Sequence, residues 1–435
     1  LKVKATAFLG DVRGRLLPAS IPFRFFGAAV FFHLLAWITL LAGAEQAPGF
    51  AGGLGLPLGA LHLLTLGVLV TTAMGASLQL LPVATRQAVG TPATLAALWW
   101  CHVSGVAALT AAMAWGRVGL LAGAAAWLLL TLTGYALLLA RNLARSRGMP
   151  VVVVHGAAAL LCLLVLLASG LALAATYHGH GFNEHGTALR LHVALAAYGF
   201  MGLLVLGFSY ILVPMFALSD SAPQRPALVS AALVILGLAL AALAALSVLP
   251  AWAATMAILC GLVGLALHVA LMSQVLRKGM RPHLGRPFVL VRLGWCLLAA
   301  SLLVALAMEA GAAFERLRTL FVVLLVAGLL SFLLGVLSRI VPFLASMHAP
   351  PGRRGPPLPS ALTFEPALAA HFHCHLAAWA LLLAAVVADS PWLARAAGAV
   401  GTVGALAFGW FFVHAWRRMR ATPAAALPAA APRPD

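Results

Sequence analysis

The 435-residue chain is 63% hydrophobic and carries 27 Lys+Arg against 9 Asp+Glu, so that 8% of its residues are charged, where soluble domains carry about 25%. This composition excludes a soluble globular fold. The net charge of +18 sits at the ends of apolar runs, where anionic headgroups and the positive-inside rule account for it without any nucleic-acid partner.

In chain order, Lys2, Lys4, Asp11, Arg13 and Arg15 precede the first apolar run. No small-residue cleavage site follows that run, so no removable signal is expected. Runs of about 20 residues cross a ~30 Å hydrocarbon core as helices. Polar punctuation predicts twelve of them, at 20–43, 58–84, 93–115, 118–140, 150–176, 188–217, 225–247, 251–276, 286–309, 318–344, 363–388 and 392–416. The expected fold is an all-α polytopic membrane protein forming a single transmembrane domain. With the N-terminus inside, 21 Lys and Arg fall in cytoplasmic segments and 5 in outer loops, which predicts that both termini face the cytoplasm. The Ala/Pro-rich tail 421–435 and the Pro-rich linker His348–Ser360 are expected to be extended or disordered. All five cysteines lie in apolar runs without a C-x-x-C pair, as small core residues would.

One pattern recurs. Gly75…Pro82, Gly207…Pro214 and Gly335…Pro342 each place a proline seven residues after a glycine, at intervals of 132 and 128 residues. They end spans two, six and ten. Cys101-His102 in span three is echoed by Cys374-His375 in span eleven. The pattern predicts three four-helix units, about 20–147, 150–280 and 286–420.

The fifteen histidines exceed the nine carboxylates, and every carboxylate lies in a loop or at a span end. Neutral imidazole ligates haem iron and copper without bringing charge into the bilayer, so the balance points to a metal or haem cofactor and away from a proton pump. His62 and His192 stand about one turn below the outer surface, a depth suited to a haem whose propionates meet Arg190, Arg316 or Arg318. They lie 13 and 15 residues before their glycines and so are not on equivalent helix faces. In span eleven, His371 and His375 share one helix face and His373 the other, so that two centres are served. His33 and His102, near midplane, supply a second axial ligand or bond a neighbouring carbonyl. His155, His268 and His414 lie closer to the cytoplasmic ends, where an interfacial histidine is ordinary. In the outer loop after span five, His178, His180 and His185 with Glu184 offer a copper or zinc site or are a flexible polar loop.

These features together, with the stretch from His62-Leu-Leu-Thr-Leu-Gly67 to Gln79-Leu-Leu-Pro82 and the segment Ala370-His-Phe-His373, resemble subunit I of the haem-copper oxidases and the shorter NnrS-type haem and copper membrane proteins. The resemblance implies a bacterial inner (cytoplasmic) membrane protein with haem b and copper as cofactors. It also implies an electron-donor protein or a quinone as partner, and a homo-oligomer or a membrane complex. Nitric oxide or oxygen would be handled as an oxidoreductase substrate or a bound gas. His62 would ligate a low-spin haem and His192 would occupy the span-six metal position. No His-x-x-x-Tyr follows His192, no His-His pair follows span six, and span ten holds no histidine, so an oxygen-reducing centre is not expected. A transporter or assembly factor for copper or haem, passing cargo by Met215, Met347 and His348, is the alternative expectation.

Overall fold

The structure, a computed structural model, describes residues 17–421 apart from 86, 88, 147, 180–184, 282 and 351–356. The tail 422–435, residues 351–356 of the Pro-rich linker, and His180 and Glu184 of the outer loop therefore lie outside the described residues. Twelve helices are long and apolar enough to cross a membrane: α1 Ser20–Ala42, α2 Leu56–Pro82, α3 Pro92–Ala114, α4 Val118–Ala144, α5 Pro150–Thr176, α6 His185–Ala217, α7 Gln224–Ala245, α8 Trp252–Lys278, α9 Arg286–Glu309, α10 Leu317–His348, α11 Glu365–Ala388 and α12 Pro391–Arg420. The protein is an all-α polytopic membrane protein. A helix satisfies its own backbone polar groups, as a lipid-embedded segment must.

Local chemistry sets the ends. Proline occupies the first turn of α3, α5, α9, α11 and α12, where its missing N–H costs nothing. Thr91 Oγ1 accepts from Thr94 N at 3.2 Å and Ser390 Oγ from Leu393 N at 3.4 Å, capping α3 and α12. His348 belongs to the last turn of α10, with its ring nitrogens against the carbonyls of Leu344 and Leu17 at 2.9 and 3.0 Å. Pro359–Leu362 is a short 3-10 turn, so these parts of the expected extended linker are ordered.

Three helices form the centre. The most apolar stretches of α2, α6 and α10 are 67, 89 and 72% buried, against 33–44% for the other nine. Around them, α1 packs on α2 and α12, α5 on α6 and α4, and α9 on α10 and α8, while α3–α4, α7–α8 and α11–α12 are close hairpins. The ring thus closes through α1 and α12. Each glycine of the recurring pattern marks the crossing of a central helix with its predecessor. A methyl at Gly75 would meet Phe25 Cβ at 2.7 Å, one at Gly207 would meet His155 Cβ at 2.8 Å, and one at Gly335 would meet Pro287 O at 2.5 Å. Small residues at such crossings let helix backbones approach, which is how helices gain contact where lipid removes the hydrophobic drive.

A second recurrence involves the Cys-His echo. Thr71 Oγ1 donates to Leu66 O at 3.0 Å and accepts from His102 Nε2 at 2.9 Å; Ser331 Oγ lies 2.8 Å from His375 Nε2. Thr71 and Ser331 each stand four residues before the glycine of their helix. Of the cysteines, only Cys162 is buried; Cys101, Cys260 and Cys374 are half-buried and Cys296 is exposed, because it occupies the outward face of α9.

Candidate functional site

In α2, residues Leu63–Val70, directly after His62, form π-helical turns, and in α6 residues Leu195–Gly202, shortly after His192, do the same. Such turns widen the helix by one residue and recur at functional sites. The two imidazoles face one another across the gap between α2 and α6, with ring centres 6.3 Å apart and planes 36° apart. Both residues are half-buried. His62 Nδ1 donates to Leu58 O at 3.1 Å, which fixes the tautomer and leaves Nε2 as a free lone pair, the usual outer-shell arrangement of a metal-binding histidine. His192 Nδ1 is buried without a partner. Its ring rests on α5, where a methyl at Gly170 would stand 3.1 Å from Cε1 and 3.3 Å from Nδ1.

This pair fits an axially ligated metal. A metal held between two imidazoles stands about 2 Å from each nitrogen and so about 3 Å from each ring centre, which separates the centres by about 6 Å. Of the outer arginines, Arg316 is engaged by Asp389. Arg190 is exposed and 3.3 Å from Thr187 Oγ1, and Arg318 is exposed.

A second group lies between α1, α10 and α11. The ring centres of His33 and His371 are 6.1 Å apart, and those of His371 and His375 are 5.5 Å apart. His371 Nδ1 donates to Gly404 O at 3.0 Å and Trp37 Nε1 donates to His33 Nε2 at 3.1 Å, leaving His371 Nε2 and His33 Nδ1 unpartnered. All three rings are buried, and Phe408 closes on His371 with centres 4.7 Å apart. His373 points the other way and is exposed on the outer face of α11. The helix periodicity is therefore as expected, but among the described residues no other histidine meets His373. His102 bonds the Thr71 hydroxyl beside the Leu66 carbonyl of α2, and His33 bonds the Trp37 indole.

The outer-loop group is only partly described. His178 is exposed, and His185, also exposed, is 3.5 Å from Thr176 Oγ1. His180 lies outside the described residues. Among the described residues no three His, Cys, Asp or Glu side chains converge as ligands of one ion. Met215 and Met347 are half-buried and His348 is tied to two carbonyls.

Two features escaped the sequence. Gly170, which seats His192, sits in an ordinary apolar run and gives no signal. His155 and His268, expected to be interfacial, are fully buried because both occupy inward helix faces; their place within spans was the available signal. No protein-family model matches the chain, and no curated protein matches it.

Proposed function

We propose that the protein is a haem-binding membrane protein in which His62 and His192 would hold a b-type haem, and that it handles electrons or a diatomic gas such as nitric oxide without pumping protons. The observation that carries this reading is the 6.3 Å imidazole pair, set on two helices that both turn π-helical beside it. The half-buried rings favour this pair over His33 and His371, which are enclosed by packed side chains. Haem held by these residues would supply reversible one-electron chemistry and a site for a gas.

The protein's own part is to position and insulate. Leu58 O orients His62, Gly170 gives the His192 ring its seat, and Arg190 and Arg318 offer charge for the propionates. The absence of carboxylates from the apolar interior, legible in the sequence, leaves no acid chain for proton transfer. On the resemblance described above, the membrane is a bacterial inner membrane and the electron source a quinone or a small redox protein.

The test is the optical spectrum of purified protein, oxidised and dithionite-reduced, with pyridine haemochrome and metal analysis on one sample. A Soret band with a sharp reduced α band, lost in both His62→Ala and His192→Ala, supports the reading. A featureless spectrum with labile copper sinks it and favours copper transport.

A further inference from the structure

A further group of buried polar atoms lies away from both histidine groups, between α5, α6, α8 and α9. His155, Tyr210, His268 and Trp295 follow one another with ring centres 5.7, 5.1 and 5.8 Å apart, the first pair tilted and the other two edge-on. Their relative exposures are 0, 6, 0 and 3%. His155 Nε2, both nitrogens of His268 and Trp295 Nε1 have no hydrogen-bond partner, and Tyr210 Oη has only the Ser230 hydroxyl beside it, which itself donates to Gly264 O at 2.8 Å. Polar groups so deep in an apolar bundle are costly unless something satisfies them.

Packing alone does not call for these residues. His155 lies against Gly207 where the corresponding crossings carry Phe25 against Gly75 and Leu290 against Gly335. Tyr210 stands three residues after its glycine, where the other two central helices have Leu78 and Ser338. The same architecture is therefore built with apolar or small residues twice and with an imidazole and a phenol once.

The donors suit one class of occupant. His155 Nδ1 donates to Val151 O at 2.7 Å, so Nε2 presents its lone pair with the ring orientation fixed from behind, as a metal-ligating histidine does. His268 offers a second imidazole, edge-on to the phenol with ring centres 5.1 Å apart. The four helices carry no Asp or Glu except Glu309, at the opposite end of α9, so an oxygen-seeking hard cation finds no carboxylate. Imidazole with a phenol oxygen suits zinc, copper or iron.

We propose that His155, His268 and Tyr210 bind one imidazole-preferring transition-metal ion between α5, α6 and α8, with Trp295 Nε1 facing a water or small ligand in the remaining position. The site is independent of the haem reading, because none of its residues belongs to either other group.

Non-haem metal is measured by elemental analysis on purified protein, with haem counted separately, and metal-depleted protein is titrated with Zn(II). About one equivalent of zinc per chain is expected, bound at least about tenfold more weakly in Tyr210→Phe and lost in His155→Phe and His268→Leu. Haem content stays unchanged in all three, and His373→Ala keeps the metal. His155→Phe installs the residue found at the corresponding α1–α2 crossing, which limits misfolding. X-ray absorption of the zinc-loaded wild type should show nitrogen and oxygen neighbours only. Failure of the wild type to bind zinc, zinc retained in both histidine variants, or sulfur in the coordination shell overturns the proposal.

Discussion

Gly170 gives the sharpest test of His192 as a ligand, because it perturbs the ring without removing it. A methyl at this position would stand 3.1 Å from His192 Cε1, where carbon atoms rest at about 3.5–4.0 Å. The ring must then shift by several tenths of an ångström or α5 must yield. The gap to His62 is already the length a two-imidazole metal centre requires, so displacement cannot be absorbed there. Overpacking of this kind costs about 1–3 kcal/mol, which at 1.4 kcal/mol per tenfold is roughly 5- to 150-fold in haem retention. Gly170→Ala should retain haem weakly with a perturbed low-spin spectrum, and Gly170→Val should retain far less. The assay is transfer of haem from purified variants to an apoprotein acceptor, followed at the Soret band. Wild-type transfer rates and spectra in Gly170→Val, in a monodisperse protein, would refute His192 ligation.

Four further outcomes follow from other parts of the bundle. Thr71→Val and Ser331→Ala each strand a buried imidazole nitrogen, His102 Nε2 and His375 Nε2. Each should lower stability by about 1–3 kcal/mol in reversible unfolding from detergent, nearly additively since the sites share no partner. Gly335→Ala drives a methyl against Pro287 O and should destabilise by about 1–3 kcal/mol. Gly134→Ala, with nothing within 4 Å, should gain up to ~1 kcal/mol from helix propensity; the same unfolding midpoints compare them. His373→Ala removes an exposed ring and should leave haem and metal contents at wild-type values. Arg395→Ala breaks an exposed 2.5 Å ion pair with Glu45 and should cost less than ~1 kcal/mol, a difference erased by salt.

The helices were legible because the membrane imposes one length and one composition on every span. The end of α5 at 176 and both ends of α9 coincide with the polar punctuation, and α10 extends four residues past its predicted end because Ala345–His348 is still apolar enough to continue the turn. The pairing of His62 with His192 was not legible. Their unequal distances from the two glycines place them on non-equivalent faces of their own helices, which does not decide whether the two rings meet, and the π-helical turns between each histidine and its glycine shift the register on both helices. A π turn leaves no trace in the order of Leu, Val and Gly, since it changes the hydrogen-bond partner and not the hydrophobic pattern. His155 and His268 were misread for a related reason: distance from a helix end locates a residue along the membrane normal, whereas burial depends on which side of the helix it occupies. The division of His371 and His375 from His373 between two helix faces was legible because three positions on one helix have a fixed angular relation.

The closure of the ring through α1 and α12 has a consequence for biogenesis. At the seam, a methyl on Gly398 would meet Leu41 Cβ at 2.8 Å, and Gly401 lies under the Trp37 indole. Helix α1 ends at Ala42 and α12 begins at Pro391, so about 350 residues separate a helix from the partner that completes its packing. At about 5–20 residues per second, the α12-facing side of α1 waits roughly 20–70 s in the bilayer before that partner is made. Throughout that interval the indole of Trp37 has lipid or a chaperone where α12 will be. Helix α12, made long after α1, is therefore the one that locks it in place, and a chain truncated before Pro391 leaves an open bundle with an unmatched seam.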